Sequence, residues 1–298
     1  MNIYNIIKEN GYLMDHDICY WSNFMGEPIL FFDEWIGYFD GNRLLLYTIS
    51  IYEYKCIPND YCEEIWNTYS KKGVKFFEFW GEFNIEINSK KNWNISHYDL
   101  GSEYVGMQID LNQYDVWDNK KRRKRIKEYL RNNIKCNVVK YDYFPNEYIK
   151  LIELFLNTHT IDAFDVPYLQ YISEFIHNDN IILLEATHEN KIVGFAIINQ
   201  YLNKTNILLH NFIDRNYSGV SDAIYHKSIE LTIEQKKDFL DLGYSMHESL
   251  KKFKLNWGAN NIRSSLKGTQ IIINNYKENL FQHWLPSTIN KIIIGSNI

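Results

Sequence analysis

The stretch from Asp238 to Ala259 limits the possible folds of this chain more than any other, because a strand, a turn and a helix follow one another within it. Residues 239–242 are apolar except for Asp241 and indicate a short buried strand, and Gly243 is expected to end it. Ser245 and Glu248 form the capping-box pattern that is typical of a helix start. The stretch therefore predicts a strand and a short helix joined by a glycine turn.

The helix predicted after this turn has two different faces. Leu250, Phe253 and Trp257 recur at helical spacing, so we expect them to form one buried apolar face. A second face is polar and consists of His247, Lys251 and Lys254. Because the apolar residues fix the orientation of the helix, the ammonium of Lys254 has a defined direction.

The same residues carry a resemblance to a known family. Asp241-Leu-Gly243, followed by Phe253-Lys-x-x-Trp257-Gly258, resembles the C-terminal signature of FemAB-like acyltransferases, which belong to the GNAT superfamily. That signature reads roughly Asp-x-Gly and then Phe-Lys-x-x-Phe-Gly, so Trp257 stands where Phe is usual. The resemblance covers the chain from about residue 180 onward.

The order of elements from residue 181 onward agrees with the fold that this resemblance implies. Apolar segments separated by turn residues predict three antiparallel strands, a long helix, a further strand, the short helix and a last strand. We expect strands at Ile181–Thr187, Lys191–Tyr201, Thr205–Ile213, Phe239–Leu242 and Arg263–Asn274, and the long helix from Gly219 to Lys236. The predicted fold class is α/β (α+β), with a GNAT-like mixed, mainly antiparallel sheet flanked by helices.

The first half of the chain repeats this rhythm more weakly. Asp40-Gly41 between two apolar segments is a hairpin signal. The elements expected before residue 181 are strands at Ile29–Phe39, Arg43–Tyr52, Val74–Phe83, Tyr104–Leu111 and Cys136–Tyr143, helices at Pro58–Tyr69, Asn146–Thr158 and Val166–Ile176, and a loop over residues 84–102. Because FemAB-like proteins often carry two tandem GNAT-like units, we predict a degenerate N-terminal GNAT-like unit at 1–145 and a C-terminal GNAT-like acyltransferase domain at 146–298.

Composition and charge exclude several classes of protein. With 298 residues, of which 45% are hydrophobic, the chain can bury a substantial core. The net charge of −5 gives no overall attraction to nucleic acid or to anionic membranes. The four cysteines have no metal-ligand spacing, and we find neither a signal-peptide pattern nor an apolar run long enough to span a bilayer. We therefore expect a cytoplasmic protein without a metal site or a membrane span.

A site for an acyl donor is expected at the start of the long helix. In GNAT enzymes the pyrophosphate of coenzyme A binds to backbone N–H groups of the loop that opens this helix. Their usual pattern is Gln/Arg-x-x-Gly-x-Gly/Ala, and the matching residues here are Asn216, Gly219 and Ser221. Gly219 keeps its place, whereas both outer residues differ, and a glycine at a helix start is also common without a ligand. We assign donor binding to residues 216–221, called the donor loop below, and to Phe253.

Acyl transfer to an amine needs a base, a polarised carbonyl and a stabilised leaving group. Asp241, at the end of its strand, is a candidate base, or else it forms a structural hydrogen bond to the turn at Gly243. Tyr244 is a candidate proton donor to the leaving group, and His210 is either a cleft residue or a core histidine. The resemblance implies that Lys254 contacts the end of an aminoacyl-tRNA, so we expect it to hold a phosphate or the leaving group.

The most basic segment of the chain runs from Lys120 to Arg131. Its apolar residues recur at helical spacing, which predicts an amphipathic helix with a buried stripe formed by Ile126, Tyr129, Leu130 and Ile134. The charged face is either merely solvated or an anion site for the phosphates of a substrate or an RNA end. For the second alternative the candidate residues are Arg122, Arg123 and Arg125.

These observations predict an N-acyltransferase of the GNAT/FemAB-like type. It would move an acyl or aminoacyl group from acyl-CoA, a carrier-protein thioester or an aminoacyl-tRNA to an amine acceptor, without a permanently bound cofactor. One alternative is an enzyme that depends strictly on aminoacyl-tRNA, which the basic segment and the altered donor loop favour. The other is a catalytically inactive GNAT-fold binding module, which the altered donor loop favours.

Overall fold

A computed structural model describes most of the chain between residues 29 and 273. The described residues are 29–31, 35–39, 41, 43–48, 56–57, 59–80, 82–83, 93–99, 105–112, 114–158, 172–173, 176–177, 179–200, 204–245, 247–263 and 267–273. They form two compact units. The first comprises the described residues within Met1–Val105 and Ile262–Asn279, and the second those within Gly106–Asn261.

The first unit contains a six-stranded sheet and the helix α1 (Asn59–Lys71). In the order in which its strands lie side by side, the sheet consists of β1 (Ile29–Phe31), β2 (Trp35–Phe39), β3 (Arg43–Thr48), β5 (Phe76–Trp80), β15 (Lys267–Ile273) and β7 (Trp93–Asp99). The short strands β4 (Cys56–Ile57) and β6 (Glu82–Phe83) pair with each other. The predicted hairpin is confirmed, because β2 and β3 are antiparallel and Gly41 between them has a φ of 94°, which a tight hairpin turn requires.

Four predictions for this unit are wrong in detail. The single strand expected at Val74–Phe83 is two strands, β5 and β6, and β6 pairs with β4 in a separate sheet. The single strand expected at Ile29–Phe39 is two strands, β1 and β2, which pair antiparallel. The loop expected over residues 84–102 contains β7. The strand expected at Arg263–Asn274 is also two strands, and the second of them, β15, pairs with β5 and β7. Because the partner of β7 lies far away along the chain, local sequence patterns do not reveal this strand.

The second unit is built around a seven-stranded, mostly antiparallel sheet. The strand order is β14 (Asn260–Arg263), β8 (Val105–Asp110), β13 (Phe239–Ser245), β12 (Thr205–Ile213), β11 (Lys191–Asn199), β10 (Ile181–His188) and β9 (Ile134–Val139). The helices of this unit whose bounds are described are α2 (Lys120–Arg131), α3 (Asn146–Thr158), α4 (Val220–Glu234) and α5 (Glu248–Asn256). This is the mixed sheet flanked by helices that the sequence predicts.

The boundary between the units differs from the one expected at residues 145 and 146, which lies inside the second unit. α2 and β9 precede that position, yet α2 packs against α4, and β9 pairs with β10. An amphipathic helix needs a complementary apolar surface, and for α2 this surface belongs to the second unit. The degenerate GNAT-like character of the first unit stays a prediction.

α3 and α4 cover opposite faces of the seven-stranded sheet. Phe195 of β11 stacks on Tyr148 of α3, with ring centroids 3.9 Å apart. The preceding residue, Gly194, lies against Val220 of α4, where an added Cβ would be 2.6 Å from the Val220 Cγ1 atom. Neighbouring residues of a strand point to opposite faces, so the two helices lie on opposite sides. The core on the α3 side consists of Phe144, Tyr148, Leu151, Ile152, Ile172, Ile176, Leu183, Phe195, Ile197 and Phe212.

The prediction for α3 is confirmed at both ends, whereas α2 ends at Arg131, so Ile134, which was predicted to belong to its buried stripe, is instead the first residue of β9. Most of the helix predicted at Val166–Ile176 lies outside the described residues. The buried stripe predicted for α2 is wrong at Leu130, which is 57% exposed. The buried face of this helix is instead formed by residues at i, i+4 and i+7, namely Arg122, Ile126 and Tyr129. The buried face of α2 therefore includes an arginine that the apolar pattern does not predict and excludes a leucine that it does.

The strand that opens the Asp238–Ala259 stretch is longer than predicted. β13 continues through Gly243 to Ser245, and α5 begins at Glu248 after His247, whose side chain makes no capping hydrogen bond. The predicted capping box is therefore wrong. Ser245 lies in the sheet next to β8 and donates to the Sδ atom of Met107 at 3.2 Å, so its hydroxyl is not available to the helix start.

Candidate functional site

The feature that opens a site in the second unit is the separation of two neighbouring parallel strands. β12 and β13 pair only at their starts, and the last pair is Ile207 with Asp241. Beyond this pair β12 continues to Ile213 and β13 to Ser245, without further pairing between them. Where parallel strands separate, backbone groups on both edges can bind a ligand instead of each other.

A β-bulge lies on β12 just after the separation begins. In the pairing with β11, Ile197 lies opposite His210 and Ile198 lies opposite Leu208. Leu209 is therefore an extra residue without an opposite residue on β11. Such bulges bend a strand and re-aim its side chains, and they are frequent next to active sites.

The side chain of Lys254 reaches β13 where the two strands have separated. Its Nζ donates to the carbonyl oxygens of Leu242 and Gly243, at 2.6 Å and 3.2 Å. Successive carbonyls of an extended strand point in opposite directions, but Gly243 has a φ of 66°, which lets both carbonyls face one ammonium. Gly243 therefore does not end the strand. Its conformation lets two carbonyls of β13 bind one cation.

Asp241 belongs to the same arrangement. Its Oδ1 accepts a hydrogen bond from the backbone N–H of Gly243 at 2.7 Å. Asp241 and Lys254 are both only 3% exposed. Burial lowers the pKa of Lys254 from its usual 10.5 to about 7, and the nearby Asp241 carboxylate opposes this shift. Asp241, Gly243 and Lys254 form one buried unit, which we call the β13 lock.

α5 presents a different face to the protein than predicted. Trp257 is fully buried and Lys254 nearly so, whereas Leu250 is 37% exposed. The predicted apolar face is therefore wrong at Leu250, and the predicted polar face is wrong at Lys254. The two hydrogen bonds to β13 offset part of the cost of burying the ammonium, which allows the helix to turn Lys254 inward.

Trp257 connects α5 to α4 and α2. Its Nε1 donates to Oδ1 of Asp222 at 3.2 Å. Arg125 donates to both oxygens of the same carboxylate, at 2.9 Å and 3.2 Å, and its guanidinium lies 5.0 Å from the ring centroid of Phe253. Burial raises the pKa of Asp222, and the Arg125 guanidinium opposes this shift. One carboxylate thus joins three helices.

The donor loop packs closely against α2. Gly219 has a φ of 92°, and a Cβ added to it would lie 2.7 Å from the Cβ of Tyr129. Ser218 donates to Glu128 at 3.2 Å, and Asn132 donates to the carbonyl of Ser218 at 3.1 Å. The approach of α2 therefore requires glycine at position 219, independently of any donor.

The two outer residues of the donor loop have partners within the protein. Asn216 donates to Oδ1 of Asp214 at 2.8 Å, and Ser221 Oγ lies 3.5 Å from Nδ2 of Asn211. Asn211 lies on β12 beyond the separation, and its Oδ1 is buried without a partner among the described residues. Sequence analysis missed Asn211, although a polar residue between His210 and an apolar neighbour within a strand is a signal that could have identified it.

The three arginines predicted to bind anions all have partners within the protein, and these partners differ in kind. Arg123 donates to the carbonyl of Trp117. Arg125 is paired with the carboxylate described above. Arg122 donates from Nη1 to the carbonyl of Asp115 at 3.1 Å, although the side chain is almost fully buried. Anion binding by these residues stays a prediction.

The other predicted site residues are His210, Phe253 and Tyr244. His210 lies on β12 beside the bulge, half-buried, and stacks on Phe212 with ring centroids 5.5 Å apart. Phe253 packs edge-on against Tyr225 of α4, with centroids 4.9 Å apart. Tyr244 is part of β13, but its side chain lies outside the described residues.

The structure brings the predicted residues together in two groups. Asp241 and Lys254 meet in the β13 lock on one separated strand. Gly219 and Ser221 lie at the start of α4, and Arg125 is bound to the first turn of that helix through Asp222. The donor loop and the strand end that were predicted to act together therefore border the two separated strands.

The described part of the chain contains neither a candidate membrane span nor a candidate metal cluster. No helix there is long and apolar enough to cross a membrane. The same residues include no group of three or more His, Cys, Asp or Glu side chains arranged to hold a metal ion.

No protein-family model matches this sequence, and no curated protein matches it. Several solved structures do match. L-PGS from Bacillus licheniformis has a TM-score of 0.53 at 15% identity, covering 98% of this chain and 96% of that one. FemX has a TM-score of 0.52 at 9% identity, covering 90% and 96%. A conserved protein of unknown function from Bacteroides thetaiotaomicron VPI-5482 has a TM-score of 0.58 at 11% identity, covering 90% and 96%.

At 9–15% identity these likenesses show the fold. The predicted fold class is confirmed: the chain has a mixed, mainly antiparallel sheet flanked by helices and shares its fold with L-PGS and FemX. The likeness extends over nearly the whole length of the matched chains, so it includes both units and not the second unit alone.

Proposed function

We propose that this protein is an N-acyltransferase that moves an acyl or aminoacyl group from an activated carrier to an amine. The observation that carries the proposal is the separation of β12 from β13 beyond Ile207 and Asp241, with the donor loop and the β13 lock at its borders. The fold shared with FemX and L-PGS supports a transferase. We place the reaction in the cytoplasm, with the carrier as co-substrate and no permanently bound cofactor.

In the proposed reaction the amine nitrogen attacks the carbonyl carbon of the acyl group. A carbon–nitrogen bond forms, the bond from that carbon to the sulfur or oxygen of the carrier breaks, and the amine proton passes to a base. Backbone N–H groups on the separated edge of β12 are suited to polarise the carbonyl, because the sheet fixes them before a substrate binds. We assign the base to Asp241 or His210 and the proton donor for the leaving group to Tyr244.

Lys254 has chiefly a positioning role in this proposal. Its ammonium holds two successive carbonyls of β13 and so fixes the edge of the cleft. Direct contact with a phosphate or a leaving group, which the FemAB-like resemblance implies, requires the ammonium to exchange one of these carbonyls for the ligand. With a pKa of about 7, Lys254 is present in both protonation states near neutral pH.

A second candidate function is strict use of aminoacyl-tRNA, and the outer face of α2 favours it. Exposed cations recur there at i, i+4, i+7 and i+11, namely Lys120, Lys124, Lys127 and Arg131. They form a line of positive charge roughly 16 Å long on the helix. Such a line attracts the phosphates of an RNA strand, and the attraction weakens as salt concentration rises.

Direct titration with two carriers tests these alternatives. Acetyl-CoA is titrated by calorimetry and a mixture of aminoacyl-tRNAs by filter binding, and amide formation on a set of primary amines is followed by mass spectrometry. We expect saturable binding of at least one carrier, followed by amide formation. Binding of aminoacyl-tRNA alone, weakened in Lys124→Glu/Lys127→Glu, assigns the second candidate function.

An inactive binding module remains the rival from another class, and the altered donor loop favours it. A folded protein that binds neither carrier and forms no amide contradicts the proposed function and assigns this module. The control is the Lys124→Glu/Lys127→Glu variant with acetyl-CoA: because both residues are exposed on α2, we expect unchanged affinity for that carrier.

A further inference from the structure

One buried cation of the second unit lacks the partners that burial requires. Arg122 is 8% exposed, and its Nε is buried without an acceptor among the described residues. Its Nη1 donates to the carbonyl of Asp115, and its Cζ lies 4.7 Å from the ring centroid of Tyr114. Within the part of the chain that is described, no carboxylate forms an ion pair with it.

Arg125, one turn further along α2, is an arginine whose positive charge is compensated by a carboxylate. Its side chain is 31% exposed, yet it pairs with the Asp222 carboxylate through two contacts. Arg122 is more deeply buried, and its hydrogen-bond partners, the carbonyl of Asp115 and the side chain of Tyr114, are both neutral. An uncompensated buried charge costs several kcal/mol, so the environment of Arg122 is complete only with further negative charge.

Two neutral groups place partial negative charge near the guanidinium of Arg122. The Tyr114 ring provides a cation–π contact worth about 0.5–2 kcal/mol. The C-terminal end of α5 lies close by, since a Cβ added to Gly258 would be 3.5 Å from Nη1 of Arg122, and a helix C-terminus carries about half a negative charge. Neither group gives the Nε–H an acceptor.

The surroundings of Arg122 at the start of α2 add positive charge. Lys120, Lys121 and Arg123 occupy the same first turn, which contains no acidic residue. The N-terminus of a helix is itself partly positive and usually attracts acidic side chains. In the preceding loop, Asp115 uses its Oδ1 to accept from the Trp117 N–H, and Asp118 is exposed. These two carboxylates are the acidic groups next to this turn in the sequence.

We propose that the first turn of α2 is a phosphate-binding subsite, in which Arg122 supplies the buried guanidinium and Lys120 and Lys121 supply surrounding charge. The planar guanidinium matches two oxygens of a phosphate group, and a helix start favours an anion. The ligand class is a small phosphate or pyrophosphate group. The inference does not rest on the proposed function, because the subsite requires no acyl transfer.

Binding of inorganic phosphate and pyrophosphate to the full chain tests this subsite. Calorimetry is done at constant ionic strength, with chloride as the competing anion. We expect saturable binding of pyrophosphate to the wild-type chain. Arg122→Met should weaken it by at least about tenfold, since hydrogen bonds between charged groups contribute about 1.5–3 kcal/mol. The matched control is Lys140→Met, an exposed cation just after β9 and outside α2, and its affinity should stay within about twofold of wild type.

Thermal unfolding separates this role from a structural one. Without phosphate, Arg122→Met should unfold at the same temperature or higher, because it removes an uncompensated buried charge. Pyrophosphate should raise the midpoint of the wild-type chain but not that of Arg122→Met. Arg122→Lys keeps the charge and loses the planar fork, so it serves as a second variant and should bind pyrophosphate more weakly than wild type. Three results overturn the inference: no saturable binding to the wild-type chain, unchanged affinity in these variants, or binding of RNA without binding of pyrophosphate.

Discussion

Two segments border the separated strands, and different forces hold them in place. The donor loop is held by packing, because Gly219 lies against the backbone and Cβ of Tyr129 with no room for another carbon atom. The end of β13 is held by charge, through Asp241 and Lys254, and a Cβ added to Gly243 would meet open space. The position of the first segment should therefore be insensitive to pH, whereas the stability of the second should depend on it.

Among the substitutions that test this comparison, Gly219→Val should lower stability the most. The left-handed φ of 92° strains any side chain, and the added carbon atoms meet α2. Strain and overpacking together should lower the free energy of unfolding by roughly 3 kcal/mol or more. Urea unfolding measures this loss, and a midpoint equal to that of wild type contradicts the packing argument. Because stability changes, valine at this position does not isolate donor binding; Ser221→Ala is the milder substitution for that purpose.

Lys254→Met should have the next largest effect. The substitution keeps an unbranched side chain but leaves the carbonyls of Leu242 and Gly243 without their donor, and an unsatisfied buried polar group costs about 1–3 kcal/mol. The matched control is Lys252→Met on the exposed side of α5, which should change stability by less than about 0.5 kcal/mol. Equal midpoints for both variants contradict the β13 lock.

Lys254→Met and Lys252→Met also test the proposed function. If Lys254 positions the reacting edge of β13, turnover should fall by about ten- to a thousandfold in Lys254→Met and stay near wild type in Lys252→Met. Lys254→Arg should recover only part of the loss, because a planar guanidinium does not place its charge where an ammonium does. Full activity in Lys254→Met removes this residue from the mechanism.

The pH dependence of stability should differ between wild type and Lys254→Met. In the unfolded chain Lys254 keeps its proton up to its usual pKa of 10.5, whereas in the folded chain its pKa is about 7. Between these values the unfolded chain binds more protons, so raising the pH favours the folded state. The wild-type free energy of unfolding should therefore rise relative to that of Lys254→Met by at most about 1.4 kcal/mol per pH unit. Urea unfolding at several pH values above 7 measures this difference, and parallel curves argue against a lowered pKa.

Gly243→Ala should have the smallest effect and gives the cleanest comparison with Gly219→Ala. Both glycines have a positive φ, so the same methyl group imposes a left-handed strain of about 1–2 kcal/mol at either position. Only at Gly219 does the methyl group also meet Tyr129. The difference between the two losses in urea unfolding thus measures packing against α2. Equal losses show that packing does not distinguish the two segments.

Elements formed by local patterns could be predicted from the sequence. The start and end of α3 follow from helical periodicity, and the turn between β10 and β11 follows from its polar residues, since Glu189 and Asn190 adopt φ values of 49° and 65°. These features depend on residues within a few positions of one another. The order of strands and helices from residue 181 onward, and with it the fold class, was therefore predictable.

Features that depend on distant partners could not be predicted. Hydropathy places a lysine on the outer face of a helix, but Lys254 is buried because two carbonyls of β13 receive its ammonium. Ser245 has the sequence of a helix cap, yet its hydroxyl is used by Met107 of β8. The contacts of Lys254 and Ser245 thus depend on how α5 packs on β13 and how β13 lies beside β8, which the local pattern does not reveal.

The position of β15 has a consequence for how this chain is made. β15 lies between β5 and β7, so the sheet of the first unit needs a strand that leaves the ribosome after every strand of the second unit's sheet. The seven-stranded sheet, from β8 to β14, is contiguous in sequence and can fold while synthesis continues. We therefore expect nascent chains that stop before Lys267 to contain a folded second unit beside an unfinished first sheet, with β5 and β7 still lacking the strand that joins them.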